Sequence, residues 1–277
     1  VAFDSPETLL DTCGTGGAPK TFNVSTAAGI VSASCGARVA KHGNVSRTGR
    51  GSAEVLERLG VNIHASQSQQ KLCLQNAGIC FCFAPKHHPA VAHVMRVRKQ
   101  IGTPTIFNLL GPLTNPCSAG RQLLGVWDSM FVAPIAEALY SGGTTKSAVV
   151  HALDGLDEVS VSAPTRIMFV DQSGCTEKII NPEEFGLSTW NINEVQATTL
   201  DEATEFIFNV LYLGRGGAVR DMIIFSAGIS LFLAGVSEDI LGGVKMASKS
   251  IDSGAAGETL RTWALISNTE TPSTECM

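Results

Sequence analysis

Residues 11–29 read DTCGTGGAPKTFNVSTAAG, placing Gly14, Thr15, Gly16 and Gly17 just before a run of small residues that opens on Asn23, Ser25 and Thr26. A glycine-rich turn between a strand and a helix lets backbone N–H groups approach an anion, and the helix N-terminus adds partial positive charge to those donors. Phosphate is the natural guest. The spacing is neither GxGxxG nor the GK[ST] of a P-loop, so it assigns neither a dinucleotide nor ATP. A tight turn that binds nothing is the alternative. Three side-chain hydrogen-bonding groups at a helix start, where one suffices for a cap, favour the ligand.

VAKHGN at 39–44 ends a strand in Lys41, His42, Gly43 and Asn44. The C-terminal ends of strands in open α/β sheets are where ligands bind, although a lysine and an asparagine also suit an ordinary surface turn. Next comes VSRTGRGS, whose Arg47 and Arg50 lie among glycines, a basic loop suited to a polyanion or equally to solvent. At another strand end, HALDGLDEVS at 151–160 carries Asp154, Asp157 and Glu158. Adjacent loop carboxylates favour a hard cation, and Mg²⁺ commonly takes one or two carboxylates plus substrate phosphates; the alternative is an acidic surface turn. His87, His88 and His93 are not spaced to share one helical face, so they read as packing or capping residues and not as a zinc site. No Ser-His-Asp or Cys-His arrangement is visible, and covalent catalysis is not indicated.

Short apolar runs at 9–13, 37–43, 79–83, 123–127 and 147–153 read as buried strands, alternating with helical patterns at 23–35, 52–59, 66–77 and 131–141. That order predicts an α/β fold with a mostly parallel central sheet and helices on both faces. Ser66 and Gln69 form a capping box, and Gly36, Gly60 and Gly78 stand at helix ends. Residues 165–180 read as a hairpin with a Ser-Gly turn, and the chain from 201 is mainly helical. The expected division is 1–82 with the phosphate loop, 83–104 as a helical detour belonging to a small lobe or hinge, and 105–277 as the rest of the α/β domain.

With 277 residues, 44% hydrophobic and 16% charged, the chain can bury a large core. Its net charge of -5 argues against a nonspecific nucleic-acid or membrane-surface binder. Eight scattered cysteines without a CxxC pair read as reduced thiols of a cytoplasmic protein. The longest apolar run, 222–235, is too short to span a bilayer, and no targeting signal opens the sequence.

CGTGG with KTFNVSTA, VAKHGN, GSAEVLERLGVNI, FAPKHHPA, VRKQIGTPTIFNLLGPLTNP, RQLLGVWD, DGLDEVS and IDSGAA, in order from about residue 11 to about 267, together resemble the anthranilate phosphoribosyltransferase family. The resemblance implies a nucleoside phosphorylase/phosphoribosyltransferase-like fold. It also implies transfer of the phosphoribosyl group of phosphoribosyl pyrophosphate to anthranilate in tryptophan biosynthesis. Carried over by motif, Gly14, Thr15, Gly16 and Gly17 would line the pyrophosphate, with Asn23, Ser25 and Thr26 on phosphate groups and Lys41 on the donor. His42, Gly43 and Asn44 would shape the meeting point with anthranilate, and Arg98 would meet its carboxylate. Mg²⁺ would be held by Ser25, Asp157 and Glu158.

The sequence departs from the family pattern at Ala18, where GTGGD is usual, and at Val45, where KHGNR is usual. The 45–50 loop is one residue shorter, and Arg47 and Arg50 are expected to serve there as phosphate donors. The resemblance further implies a homodimer and, ahead of the first strand, a helical segment of which most is expected to be missing here, whether in a fragment or in a shortened relative, leaving a remnant of the small lobe. Two alternatives stand beside this reading. A pyrimidine nucleoside phosphorylase shares the fold, but TIFNLLGPLTNP argues against it. A noncatalytic relative binding nucleic acid or another partner is opposed by the acidic balance and by Ser25, Asp157 and Glu158.

Overall fold

The computed structural model describes residues 3–19, 21–46, 49–89, 100–101, 103 and 105–269. Seven strands, β1 Leu10–Gly14, β2 Val39–Gly43, β3 Ile79–Phe83, β4 Arg121–Gly125, β5 Lys146–Ala152, β6 Thr165–Asp171 and β7 Gly174–Ile180, form one sheet in the order β3-β2-β1-β4-β5-β6-β7. From β3 to β5 all neighbours are parallel, whereas β6 and β7 add an antiparallel edge.

Side-chain alternation along each strand divides the core into two layers. Leu10, Val39, Leu123, Ala148, Val150 and Ile167 face the larger layer, which is covered by α1 (Val24–Ser34) and the other helices packed on it. Cys13, Leu124, Val149, Met168 and Val170 face the opposite way onto Val132, Ile135, Ala136 and Leu139 of helix Val132–Ser141. Helix Ala218–Ala234, which contains most of the apolar run at 222–235, is packed among α1, helix Ile240–Asp252 and the sheet. Among the described residues no single helix is long and apolar enough to cross a membrane.

Local signals hold where the backbone is self-contained. Ser66 Oγ accepts Gln69 N–H at 3.2 Å while Gln69 Oε1 accepts Ser66 N–H at 2.7 Å. Gly36, Gly60 and Gly78 adopt φ of 99°, 88° and 70°, a region other residues enter at a cost. Boundaries shift where tertiary partners intervene. β4 ends at Gly125, short of the expected Trp127, whose N–H turns to Thr15 Oγ1 at 3.2 Å. The hairpin turn falls on Gln172 and Ser173, with Ser173 N–H donated to Asp171 Oδ1 at 2.7 Å, and Gly174 already pairs with Asp171.

Candidate active site

β1, β2, β4 and β5 run parallel, so their C-terminal ends share one edge of the sheet, and the loops beyond them converge there. After β1, Thr15 N–H is donated to Gly125 O at 2.9 Å, and Thr15 O accepts Asn108 Nδ2 at 3.3 Å. The turn is thus fixed to β4 on one side and to helix Ile106–Leu110 on the other. Gly16 and Gly17 follow with φ of 65° and 101°. Gly16 N–H is donated to Asp157 Oδ2 at 2.9 Å, and a β-carbon on Gly14 would lie 3.0 Å from that same oxygen.

The neighbouring Glu158 lies toward the start of α1, where the Ser25 N–H and the Lys41 ammonium favour its charged form. Asp157 therefore holds the glycine turn, with Glu158 beside it toward the helix start. Burial, reinforced by the charge of Asp157, pushes the Glu158 carboxyl up to about 8, against the opposing pull of Lys41 and the Ser25 N–H. Two carboxylates so placed favour a bound cation over shared repulsion. Among the described residues no three His, Cys, Asp or Glu side chains converge on a metal position. A hard ion at this pair would therefore complete its shell with hydroxyl, water and ligand oxygens, which suits Mg²⁺. Asp154 serves the loop itself, accepting Ser160 Oγ–H at 2.6 Å.

Lys41 is almost fully buried, and its ammonium donates to Thr12 O and to Ser25 Oγ, the latter at 3.3 Å. Burial lowers its pKa, offset by Asp11, Cys13 and Glu158. Asp11 is buried on the opposite face of the sheet, where its carboxylate accepts His42 N–H at 3.0 Å and Gln122 Nε2–H at 3.3 Å. Desolvation raises its pKa while Lys41, Asn115, His42 and Gln122 lower it. Asp11, Gln122, Asn108 and Asn115 were absent from the expected set; an aspartate inside the apolar run LLDTC, one strand from a buried lysine, is the signal that could have found the first of them.

His42 packs edge-on against His88 with ring centroids 5.1 Å apart. Burial and the two neighbouring histidines, His88 and His87, push its imidazole down to about 4, so the ring is neutral. Its Nε2 has no hydrogen-bond partner among the described residues. A β-carbon on Gly43 would lie 2.2 Å from Ser52 Oγ and 2.6 Å from the Phe81 ring, so only glycine fits that strand end. Asn44 shapes the next turn, its Oδ1 accepting Val45 N–H at 2.8 Å and its main-chain oxygen accepting Ala53 N–H at 3.3 Å.

Two expected roles change. Asn23 takes φ of 66° and makes no side-chain cap; its carbonyl accepts the Thr26 N–H at 3.0 Å, and its Nδ2 donates to Arg50 O at 3.2 Å. Arg50, read as a phosphate donor, instead donates its guanidinium to Ala197 O, so both side chains brace the loop after β2. Short reach explains this, because the bridge between Thr21 and Gln196 brings the 196–197 segment beside the loop. The Thr26 hydroxyl is buried in α1 without a partner among the described residues. Arg47, His93 and Arg98 lie outside the described residues.

A family profile described as "Glycosyl transferase family, a/b domain" matches residues 6–257. The anthranilate phosphoribosyltransferase of Methylobacillus flagellatus is 43% identical over 258 residues, covering 92% of this chain and 75% of that protein. That of Hyphomonas neptunium is 45% identical, with 95% and 76% covered. In three dimensions the chain is similar to anthranilate phosphoribosyltransferase from Thermus thermophilus, with a TM-score of 0.90, 34% identity and coverage of 97% and 80%. It is also similar to the Saccharomyces cerevisiae enzyme in complex with PRPP and Mg, with a TM-score of 0.84, 28% identity and coverage of 94% and 74%. Sequence and three-dimensional similarity thus agree along nearly the whole chain, which belongs to the anthranilate phosphoribosyltransferase family.

Proposed function

We propose that this chain transfers the phosphoribosyl group of phosphoribosyl pyrophosphate to the amine of anthranilate, releasing pyrophosphate, with Mg²⁺ at the acidic loop. The observation that carries this reading is the acidic loop's hold on the glycine turn, where Asp157 Oδ2 accepts Gly16 N–H at 2.9 Å and Glu158 stands beside it under the influence of Ser25 and Lys41. Mg²⁺, when bound, neutralises charge on the leaving pyrophosphate. Asp157 and Glu158, with the Ser25 hydroxyl, are the groups that would hold it.

Displacement at the anomeric carbon needs a stabilised leaving group more than a strong base, because the ribose ring shares developing positive charge and the arylamine loses its proton readily. The chain's part is positioning and fixed electrostatics. Gly14, Thr15, Gly16 and Gly17 would present the turn's N–H groups to the pyrophosphate, with phosphate oxygens replacing Asp157 at Gly16. Ser25 and Thr26 would meet phosphate groups at the start of α1, and Lys41 would reach the donor beside Ser25. The neutral His42, with Gly43 and Asn44, would border anthranilate. Arg98 would orient the anthranilate carboxylate by a charge-assisted pair.

Anthranilate fluorescence followed over time with phosphoribosyl pyrophosphate and Mg²⁺ tests the proposal. Decay that requires both the donor and the metal supports it. A flat trace from folded protein overturns it, and release of free base from thymidine in phosphate would assign a phosphorolytic activity instead.

A further inference from the structure

Beneath the connector that follows helix Ile106–Leu110, three thiols meet. Cys80 and Cys82 are two residues apart on β3 and so point to the same side of the sheet. Cys117, from the connector, brings its sulfur to 3.2 Å from that of Cys82. Disulfide formation asks these sulfurs to close by only about 1 Å more. The other described cysteines are free as well, and Cys175 alone among them is exposed.

We infer that Cys82 and Cys117 are a reversible redox pair, closing to a disulfide under mild oxidation by a peroxide. Hydrogen bonding among the clustered thiols favours the thiolate of Cys117 and holds its pKa below the usual thiol range, while that of Cys82 is pushed upward. Cys117, which adjoins the exposed Ser118 while Cys80 and Cys82 lie on the buried strand β3, is thus the sulfur that meets the peroxide. Its thiolate takes one oxygen from the peroxide to form a sulfenic acid, and the peroxide leaves as hydroxide. The Cys82 sulfur then attacks the sulfenic sulfur, expelling water as its own proton is lost. Overall two thiols lose two electrons, and one hydrogen peroxide becomes two waters.

Access is short. Cys117 is 2% exposed, but Ser118, the next residue, is exposed and holds φ of 52° in a turn closed by its N–H on Asn115 O at 3.0 Å. The turn also sits beside the strand that carries Lys41 and His42. Asn115 Nδ2 donates to Ala40 O at 2.8 Å, and Cys82 is the register partner of His42. A bond between the two sulfurs would tie the connector to the sheet at that level.

The test uses the full chain with Cys175→Ser and Cys276→Ser, treated with hydrogen peroxide, alkylated and digested for mass spectrometry. The expected product is one intramolecular peptide pair joined through Cys82 and Cys117, formed in most chains and lost on dithiothreitol treatment. Cys82→Ser or Cys117→Ser should abolish it. Recovery of both as free thiols, over-oxidation of Cys117 without a linked peptide, or linkage through Cys80 would each overturn the assignment. If either serine variant fails to fold, the linkage map of the parent chain decides alone.

Discussion

The main-chain oxygen of Asp157 crosses Gly125 so closely that a β-carbon at residue 125 would lie 1.7 Å from it. The acidic loop can therefore lie over the end of β4 only because that strand ends in glycine. Gly125→Ala must lift the loop or shift the strand, and forced overpacking costs about 1–3 kcal/mol. The expected result is a lower unfolding midpoint together with at least a tenfold fall in metal-dependent turnover. Gly216→Ala, where a β-carbon meets nothing within 4 Å, should leave both unchanged. Parallel losses in the two variants would show that the loop's seat on Gly125 is not special.

Asp157→Asn with Glu158→Gln keeps the shape of the acidic pair and removes its charge. An amide oxygen in place of Asp157 Oδ2 can still accept from Gly16 N–H, so thermal unfolding should move by only a few degrees. Turnover at fixed Mg²⁺ should fall by about two orders of magnitude or more, since a carboxylate-poor site holds the ion weakly. Titration of Mg²⁺ separates the cases: partial rescue at high metal supports the assignment, and unchanged activity without added metal removes it.

Lys41→Met deletes the buried ammonium while keeping most of its stem. Asp11 and Glu158 then lose the cation that lowers both of their pKa values, and Thr12 O loses its donor. Breaking buried charge compensation costs about 3–5 kcal/mol. Both carboxyls, already raised, should retain protons to still higher pH. The native state then binds more protons than the unfolded chain, so the variant's deficit grows as pH rises. Urea midpoints at pH 6 and pH 8 check this: the gap to the parent should widen at pH 8, and an equal gap at both would mean that Lys41 does not compensate these acids.

Much of this arrangement is written in residue types. The mostly parallel sheet with helices on both faces follows from apolar runs alternating with helical patterns, and the glycine turn, KHGN and the acidic loop fall at the strand ends they were expected to occupy. What was not legible depends on contacts across the sheet. Asn23 looked like a phosphate contact because it opens the helix start after the glycine turn, yet its left-handed backbone turns the amide to Arg50. Arg50 looked like a phosphate donor because a guanidinium among glycines is usually free, and the reach to Ala197 depends on a segment almost 150 residues further on. Asp11 was hidden for the opposite reason: inside an apolar strand its charge makes sense only once Lys41, His42 and Gln122 surround it.

The brace between Asn23 and Arg50 gives a double-mutant test. Asn23→Ala removes a donor to the Arg50 carbonyl, and Arg50→Ala removes the tie to Ala197, so each should loosen the same loop. Each single change is expected to raise the KM for phosphoribosyl pyrophosphate severalfold, with a stability loss of about 1 kcal/mol. The pair should cost less than the sum, because either change alone already frees the loop. Strict additivity, with Arg50→Ala weakening the donor more steeply at low salt, would restore the direct phosphate contact expected from the sequence.

His42 contributes one part of the pH dependence of the fold. Its imidazole titrates near 4 in the native state and near 6.5 unfolded, so between those values the unfolded chain holds a proton that the native chain does not. Stability from this group is therefore complete above pH 6.5 and is lost as pH falls toward 4, by at most about 3 kcal/mol. Glu158 opposes it, because a carboxyl raised from 4.5 to about 8 makes the native state the proton-richer one over that span. The two slopes partly cancel in the parent protein. The informative quantity is the difference between the parent and His42→Gln, which removes the titration and leaves the backbone N–H to Asp11. Its urea stability relative to the parent should rise as pH drops from 6.5 to 5, and a difference independent of pH would show that His42 is already protonated or already exposed.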